Sequence, residues 1–176
     1  MQDYPAALAD FTKAIELLPA DHENYHWRGR TYHDLQDYPA ALADFRQAIE
    51  LQPAEGDNYY WRGGTHYALH DYPVALADFT KAVELQPTDA YNYFWRGRTY
   101  HALQDYPAAL VDFTKAVELQ PTDAYNYFWR GRTHHARQDY PAALADFTKA
   151  IELQPGNQDM NDWLTLTARE KKDGDV

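Results

Sequence analysis

Five tryptophans, Trp27, Trp61, Trp95, Trp129 and Trp163, stand 34 residues apart and are the chain's whole complement of that residue. An indole offers two π faces and one N–H donor, so its chemistry is stacking and docking rather than bond making. Three residues after each of three tryptophans comes Arg30, Arg98 or Arg132, and Gly64 interrupts the series. Residues three apart on a helix share a face, and a guanidinium over an indole is worth about 0.5 to 2 kcal/mol depending on burial. Farther along the same segments lie His33, Tyr67, His101 and His135, and at their start stand Glu23, Asp57, Tyr91 and Tyr125. Immediately before the tryptophans come His26, Tyr60, Phe94 and Phe128. Together these residues describe an aromatic face with guanidinium groups set into it.

A second set pairs opposite charges. Arg28, Arg62, Arg96 and Arg130 each precede an aspartate by 16 residues, namely Asp44, Asp78, Asp112 and Asp146. A buried guanidinium needs a carboxylate, so these are expected to be ion pairs between helices.

Catalysis finds no such support. The chain contains neither Ser nor Cys, no Gly-rich phosphate loop and no distinctive carboxylate pair, so no enzyme activity and no cofactor are expected. Eight histidines raise the question of a metal, but His134 and His135 are adjacent and diverge by about 100° on a helix, and histidines one repeat apart stand about 10 Å from one another. No metal site is expected; protonation of His101 or His135 near pH 6 would instead add charge beside Arg98 and Arg132. The net charge of −11 argues against nucleic acid, because neutralising phosphates requires a surplus of Lys and Arg. No apolar run reaches membrane-spanning length, and the N-terminus has no basic segment followed by an apolar one, so the chain reads as soluble and cytoplasmic with no membrane partner.

The elements that must position these residues follow from the repeat. Asp-Tyr-Pro begins at Asp3, Asp37, Asp71, Asp105 and Asp139, and residues 88–121 match 122–155 at 30 of 34 positions. A fixed period of this length signals a solenoid. After Asp105-Tyr106-Pro107, the apolar residues Ala109, Leu110, Phe113, Ala116 and Val117 recur at three- and four-residue steps, which predicts a helix stopped by Pro121. A preceding helix is predicted from Ala124 to about Arg137, entered through Thr122-Asp123, and the short loops make neighbours antiparallel.

These residues resemble the tetratricopeptide repeat family. In the unit 90–123 the matches are Tyr93, Gly97, Tyr100, Ala109, Phe113, Ala116 and Pro121, with Gly97 expected opposite Ala109 and Tyr25, Tyr59, Tyr93 and Tyr127 expected in the core. The resemblance implies an all-α, right-handed α-solenoid of antiparallel helix-turn-helix repeats, and a scaffold that binds proteins or peptides. One array is expected over 1–176, with a half repeat at 1–21 and full repeats at 22–55, 56–89, 90–123 and 124–157. A capping helix is expected at 158–172 and a disordered tail at 173–176.

The first helices of the four full repeats carry formal charges of 0, 0, +2 and +3 to their last residues, Leu35, Leu69, Leu103 and Arg137, while the chain carries −11. The expected function is therefore binding of an extended partner segment in a concave groove lined by Trp27, Trp61, Trp95, Trp129 and their neighbours. An extended chain advances about 3.3 Å per residue and packed helices stand about 10 Å apart, so one anchor every three residues is expected. Aromatic, proline or acidic anchors suit Trp and Arg. The first alternative is head-to-tail self-assembly, because the face of Leu8, Phe11 and Ile15 lacks a first-type helix over it. The second is single-stranded nucleic acid stacking on the aromatic face.

Overall fold

The computed structural model describes residues 3–174, and all their regular structure is helical. They fall into two compact units, Met1–Pro87 and Thr88–Val176. The first holds α1 (Tyr4–Leu17), α2 (His22–Asp34), α3 (Tyr38–Leu51), α4 (Gly56–Ala68) and α5 (Tyr72–Leu85). The second holds α6 (Ala90–Ala102), α7 (Tyr106–Leu119), α8 (Ala124–Ala136), α9 (Tyr140–Leu153) and α10 (Gln158–Gly174). In each unit consecutive helices pack on one another, and α2 also meets α4, α6 meets α8, and α8 meets α10. None of these helices is long and apolar enough to cross a membrane.

The sequence places the boundaries by local chemistry. Asp105 and Asp139 cap α7 and α9 by accepting from the amides of Ala108 and Ala142 at 3.2 and 3.3 Å, with proline in the first turn where no donor is lost. Asp21, Asp89 and Asp123 cap α2, α6 and α8. Two residues past the ends of α2, α4, α6 and α8 stand Gln36, His70, Gln104 and Gln138, each left-handed with φ near 60°. There the Asp139 amide donates to the His134 carbonyl and that of Gln138 to the His135 carbonyl, at 2.9 and 2.8 Å, a six-to-one and five-to-two pair that closes the turn.

The core sits between the helices of each hairpin. Phe45, Phe79, Phe113 and Phe147 are fully buried, flanked by Ala41, Ala75, Ala109 and Ala143. The repeat glycines meet these rings rather than the alanines: a Cβ on Gly97 would stand 3.0 Å from Phe113 Cε1, and one on Gly131 would stand 2.9 Å from Phe147 Cε1. The tyrosines expected in the core lie at its edge, Tyr127 packing against the buried cluster of the second unit. Tyr25, Tyr59 and Tyr127 are half-buried, and their hydroxyls donate to the carbonyls of Pro19, Pro53 and Pro121. A phenol there keeps its O–H bonded at the hairpin edge, where a fully buried one would need an internal acceptor.

The two ends differ from the middle. Phe11 in α1 is half-buried where its counterparts are fully buried, and Leu17 and Leu18 are exposed. At the other end α10 continues through Gly174, so residues 173 and 174 are helical and not the start of a disordered tail; the rest of that expected tail, 175–176, lies outside the described residues. Met160 fills the place of the buried Asn126 one repeat earlier and closes the core of the second unit together with Trp163 and Leu164.

Candidate functional site

The tryptophans and arginines of the first-type helices form stacks. In the first unit the Arg30 guanidinium lies 4.4 Å from the Trp27 ring centre and 4.3 Å from that of Trp61. In the second, Arg98 lies 4.5 Å from Trp95 and 4.4 Å from Trp129, and Arg132 lies 4.3 Å from Trp129 and 4.7 Å from Trp163. Each arginine thus touches the indole of its own helix, three residues back, and the indole of the next first-type helix. The indoles are anchored as well as displayed: Trp129 stacks on Phe113 at 6.4 Å and 27°, and Trp163 tilts over Phe147 at 6.0 Å. Trp27 remains 44% exposed.

Along the same face, one turn before the tryptophan, Tyr91 and Tyr125 are 52% and 47% exposed. In the first unit that position holds Glu23 and Asp57, both exposed. The residues before the tryptophans point elsewhere. Phe128 is buried at 7% and packs on Phe147 at 5.8 Å; Phe94 packs on Phe113 and Tyr60 on Phe79, both at 6.0 Å. Phe128 therefore belongs to the hairpin interior, while Tyr60 and Phe94, half-buried, pack toward it and Phe94 also lies 5.9 Å from the Arg98 guanidinium, because one helical residue turns the side chain by about 100°.

The histidines also serve the interior. His33, His101 and His135 reach across to the next first-type helix, where Nδ1 meets the hydroxyl of Thr65, Thr133 and Thr167 at 2.9, 3.0 and 2.9 Å. Each of those hydroxyls donates to a carbonyl four residues back, that of Trp61, Trp129 or Trp163. The hydroxyl proton being committed there, Nδ1–H is the donor in the His–Thr bond. The rings stand edge-on to Trp61, Trp129 and Trp163, and against Tyr38, Tyr106 and Tyr140. Tyr67 likewise packs on Tyr72 at 5.3 Å. Burial, with Arg132 and Arg98 adding repulsion, holds His101 down at a pKa of about 4, and burial lowers His33. His101 is therefore neutral at pH 6, contrary to the groove protonation expected for it.

The threonines escaped the sequence reading, although one signal was present: Thr31, Thr65, Thr99, Thr133 and Thr167 recur four residues after every tryptophan. A mid-helix β-branched hydroxyl held so regularly points to a fixed bond.

On the other side of the hairpins the arginines before each glycine fork onto aspartates. The Nε and Nη2 atoms of Arg96 lie 2.8 Å from the two carboxylate oxygens of Asp112. Arg28–Asp44, Arg62–Asp78 and Arg130–Asp146 repeat this bidentate geometry. The fork raises the pKa of each arginine further, while burial pushes the Asp112 carboxyl up. The rings of Tyr25, Tyr59, Tyr93 and Tyr127 lie beneath these guanidinium groups at 5.6 to 5.9 Å. Such pairs hold the two helices of a hairpin in register. Beside one of them a shallow depression of about 580 Å³ opens between Tyr93, Arg96, Val111 and Lys115.

Solved structures of similar shape are repeat proteins. MamA from Desulfovibrio magneticus RS-1 is 24% identical with a TM-score of 0.81, covering 88% of this chain and 88% of that one. YrrB, described as a TPR protein with an unusual peptide-binding site, is 26% identical with a TM-score of 0.79, covering 92% and 84%. A thermophilic TPR protein from Thermus thermophilus is 22% identical with a TM-score of 0.74, covering 94% and 90%. No curated protein matches the sequence significantly. Models of the tetratricopeptide repeat match residues 1–56, 28–90, 79–111 and 124–157, and a further TPR repeat model matches 97–138. With matches running through every hairpin, and with the period, the buried Gly–Phe contact and the paired helices agreeing, this chain belongs to the tetratricopeptide repeat family.

Proposed function

We propose that the chain is a protein-interaction scaffold that binds an extended partner segment on the face of its first-type helices. The observation that carries this reading is the stacked series Trp95, Arg98, Trp129, Arg132, Trp163, with Tyr91 and Tyr125 exposed beside it. Arginine and tryptophan side chains on one face suit carboxylate and ring-bearing anchors. The stack also holds the side chains in place before a partner arrives, so less conformational entropy is lost on binding. Anchors with aromatic or proline rings and acidic groups are the complement. The peptide-binding site described for YrrB supports the general reading and does not specify the ligand. No observation favours an enzyme.

The head-to-tail alternative has a physical obstacle. A second-type helix packs on a first-type helix through glycine against phenylalanine, as Gly131 does on Phe147. In α10 that position is Thr165 and the arginine before it is Leu164. A β-branched side chain there holds off a second copy's Phe11, and Asp10 finds no guanidinium.

The test is selection of extended peptides from a random library against the whole chain, followed by affinity measurement on Trp129→Ala and Tyr125→Ala. The expected result is enrichment of acidic and aromatic peptides whose affinity falls about tenfold or more in Trp129→Ala. Peptides that bind both variants as they bind the original chain would remove the stacked face from the account.

A further inference from the structure

The interrupted position in the arginine series marks a site. In α2, α6 and α8 the residue three after the tryptophan is an arginine at 4.4, 4.5 and 4.3 Å from that indole. In α4 the same place is Gly64, where an added Cβ would meet nothing within 4 Å. Gly64 is thus unlike the neighbouring Gly63, whose Cβ would stand 3.1 Å from Phe79 Cε1 and which close packing demands. Packing therefore does not explain the glycine at 64. Its effect is to leave Trp61 without the cation of its own helix, while Arg30 still approaches that indole at 4.3 Å from the preceding hairpin.

The charge beside the gap changes in the matching sense. One turn before Trp61 stands Asp57, exposed, where α6 and α8 carry Tyr91 and Tyr125. The face therefore presents a carboxylate, whose Oδ1 accepts from the Gln86 side-chain amide at 2.9 Å, an indole and open space at successive turns. Trp129 shows that one indole accepts two guanidinium groups, Arg98 at 4.4 Å and Arg132 at 4.3 Å, so Arg30 on Trp61 does not forbid a second.

We propose that Trp61, Gly64 and Asp57 form a binding site for an arginine side chain of a partner protein, which takes the place that the chain's own arginine fills in the other repeats. The site deepens the reading of the first-type helix face as the binding surface and rests on it. Guanidinium is selected over ammonium because it is planar, more weakly hydrated and already the group that stacks throughout this protein. The partner segment accordingly carries an arginine for α4, in addition to the acidic or aromatic anchors that suit α6 and α8.

The experiment follows the five indole N–H signals of the ¹⁵N-labelled whole chain by NMR during titration with N-acetyl-arginine methylamide, at constant ionic strength. The expected result is a saturable shift concentrated on Trp61, absent with the neutral citrulline analogue and weaker with the lysine analogue. Gly64→Arg, which restores what three other repeats carry, should weaken that response by about tenfold or more, and Asp57→Asn should weaken it less. Equal shifts at all five indoles, an equal response to citrulline or lysine, or a response unchanged by Gly64→Arg would each overturn the proposal. Selected peptides that bind at Trp129 while arginine leaves Trp61 unmoved would remove this site alone. A chain that takes neither would remove the binding face itself.

Discussion

The guanidinium of Arg98 lies 4.4 Å from the ring centre of Trp129, 31 residues away on the next first-type helix. Because the same group also covers Trp95, it ties two hairpins through one cation. Replacing Arg98 with Ala is expected to cost about 1 to 2 kcal/mol of stability. Chemical denaturation followed by tryptophan fluorescence checks this, and Arg98→Lys should recover only part of the loss because ammonium is compact and strongly hydrated.

The Arg96–Asp112 fork differs in kind, since one partner is nearly buried: the side chains are 18% and 3% exposed. Asp112→Ala leaves a guanidinium without its carboxylate and is expected to cost about 3 kcal/mol. The double change Arg96→Met with Asp112→Leu removes both charges and should come out within about 1 kcal/mol of the original chain. A double-mutant cycle by denaturation measures both.

Glycines at adjacent positions should respond with opposite signs. Gly63→Ala drives a methyl to 3.1 Å from Phe79 and 3.2 Å from Asp78 Cβ, with an expected cost of about 1 to 3 kcal/mol. Gly64→Ala meets open space within a helix and is expected to stabilise by about 0.5 to 1 kcal/mol. Thermal melts of the two variants decide whether one glycine serves packing and the other does not.

His101 sets a direction for pH dependence. Its pKa in the folded chain is about 4, against 6.5 for the ordinary side chain, so between those values the unfolded chain binds a proton that the folded chain refuses. The stability contributed by neutral His101 is complete above pH 6.5 and is lost as pH falls toward 4. Melting temperatures at pH 7 and pH 5 should therefore differ less in His101→Asn, whose amide keeps a donor toward Thr133, than in the original chain.

Much of the fold is legible in the residues. The 34-residue period, the Asp and Pro entrances and the Pro exits locate the hairpins, because caps and breakers act locally. What lies within one helix is also legible, as with Arg132 three residues after Trp129. Contacts set by the packing of one hairpin on the next are not. The reach of Arg98 to Trp129 and the bond from His101 to Thr133 join residues about 32 apart, and no helical period describes that separation. Phe128 shows the opposite error: standing next to Trp129, it looks like part of the same face, yet the turn of the helix delivers it to Phe147. Leu35, Leu69 and Leu103, closing residues of the predicted first helices, are instead exposed at the turn, where the left-handed residue after each ends the helix.

Partners are proposed to dock on the stacked Trp and Arg face and not on the fork side of the hairpins. The most direct measurement is a ¹⁵N NMR titration of the whole chain with a selected acidic and aromatic peptide. Shifts are expected at the indole N–H signals of Trp95 and Trp129 and at the amides of Tyr91 and Tyr125, with Val111 and Lys115 beside the Arg96–Asp112 fork unmoved. Shifts confined to Val111, Lys115 and their neighbours, with the indole signals still, would contradict that docking.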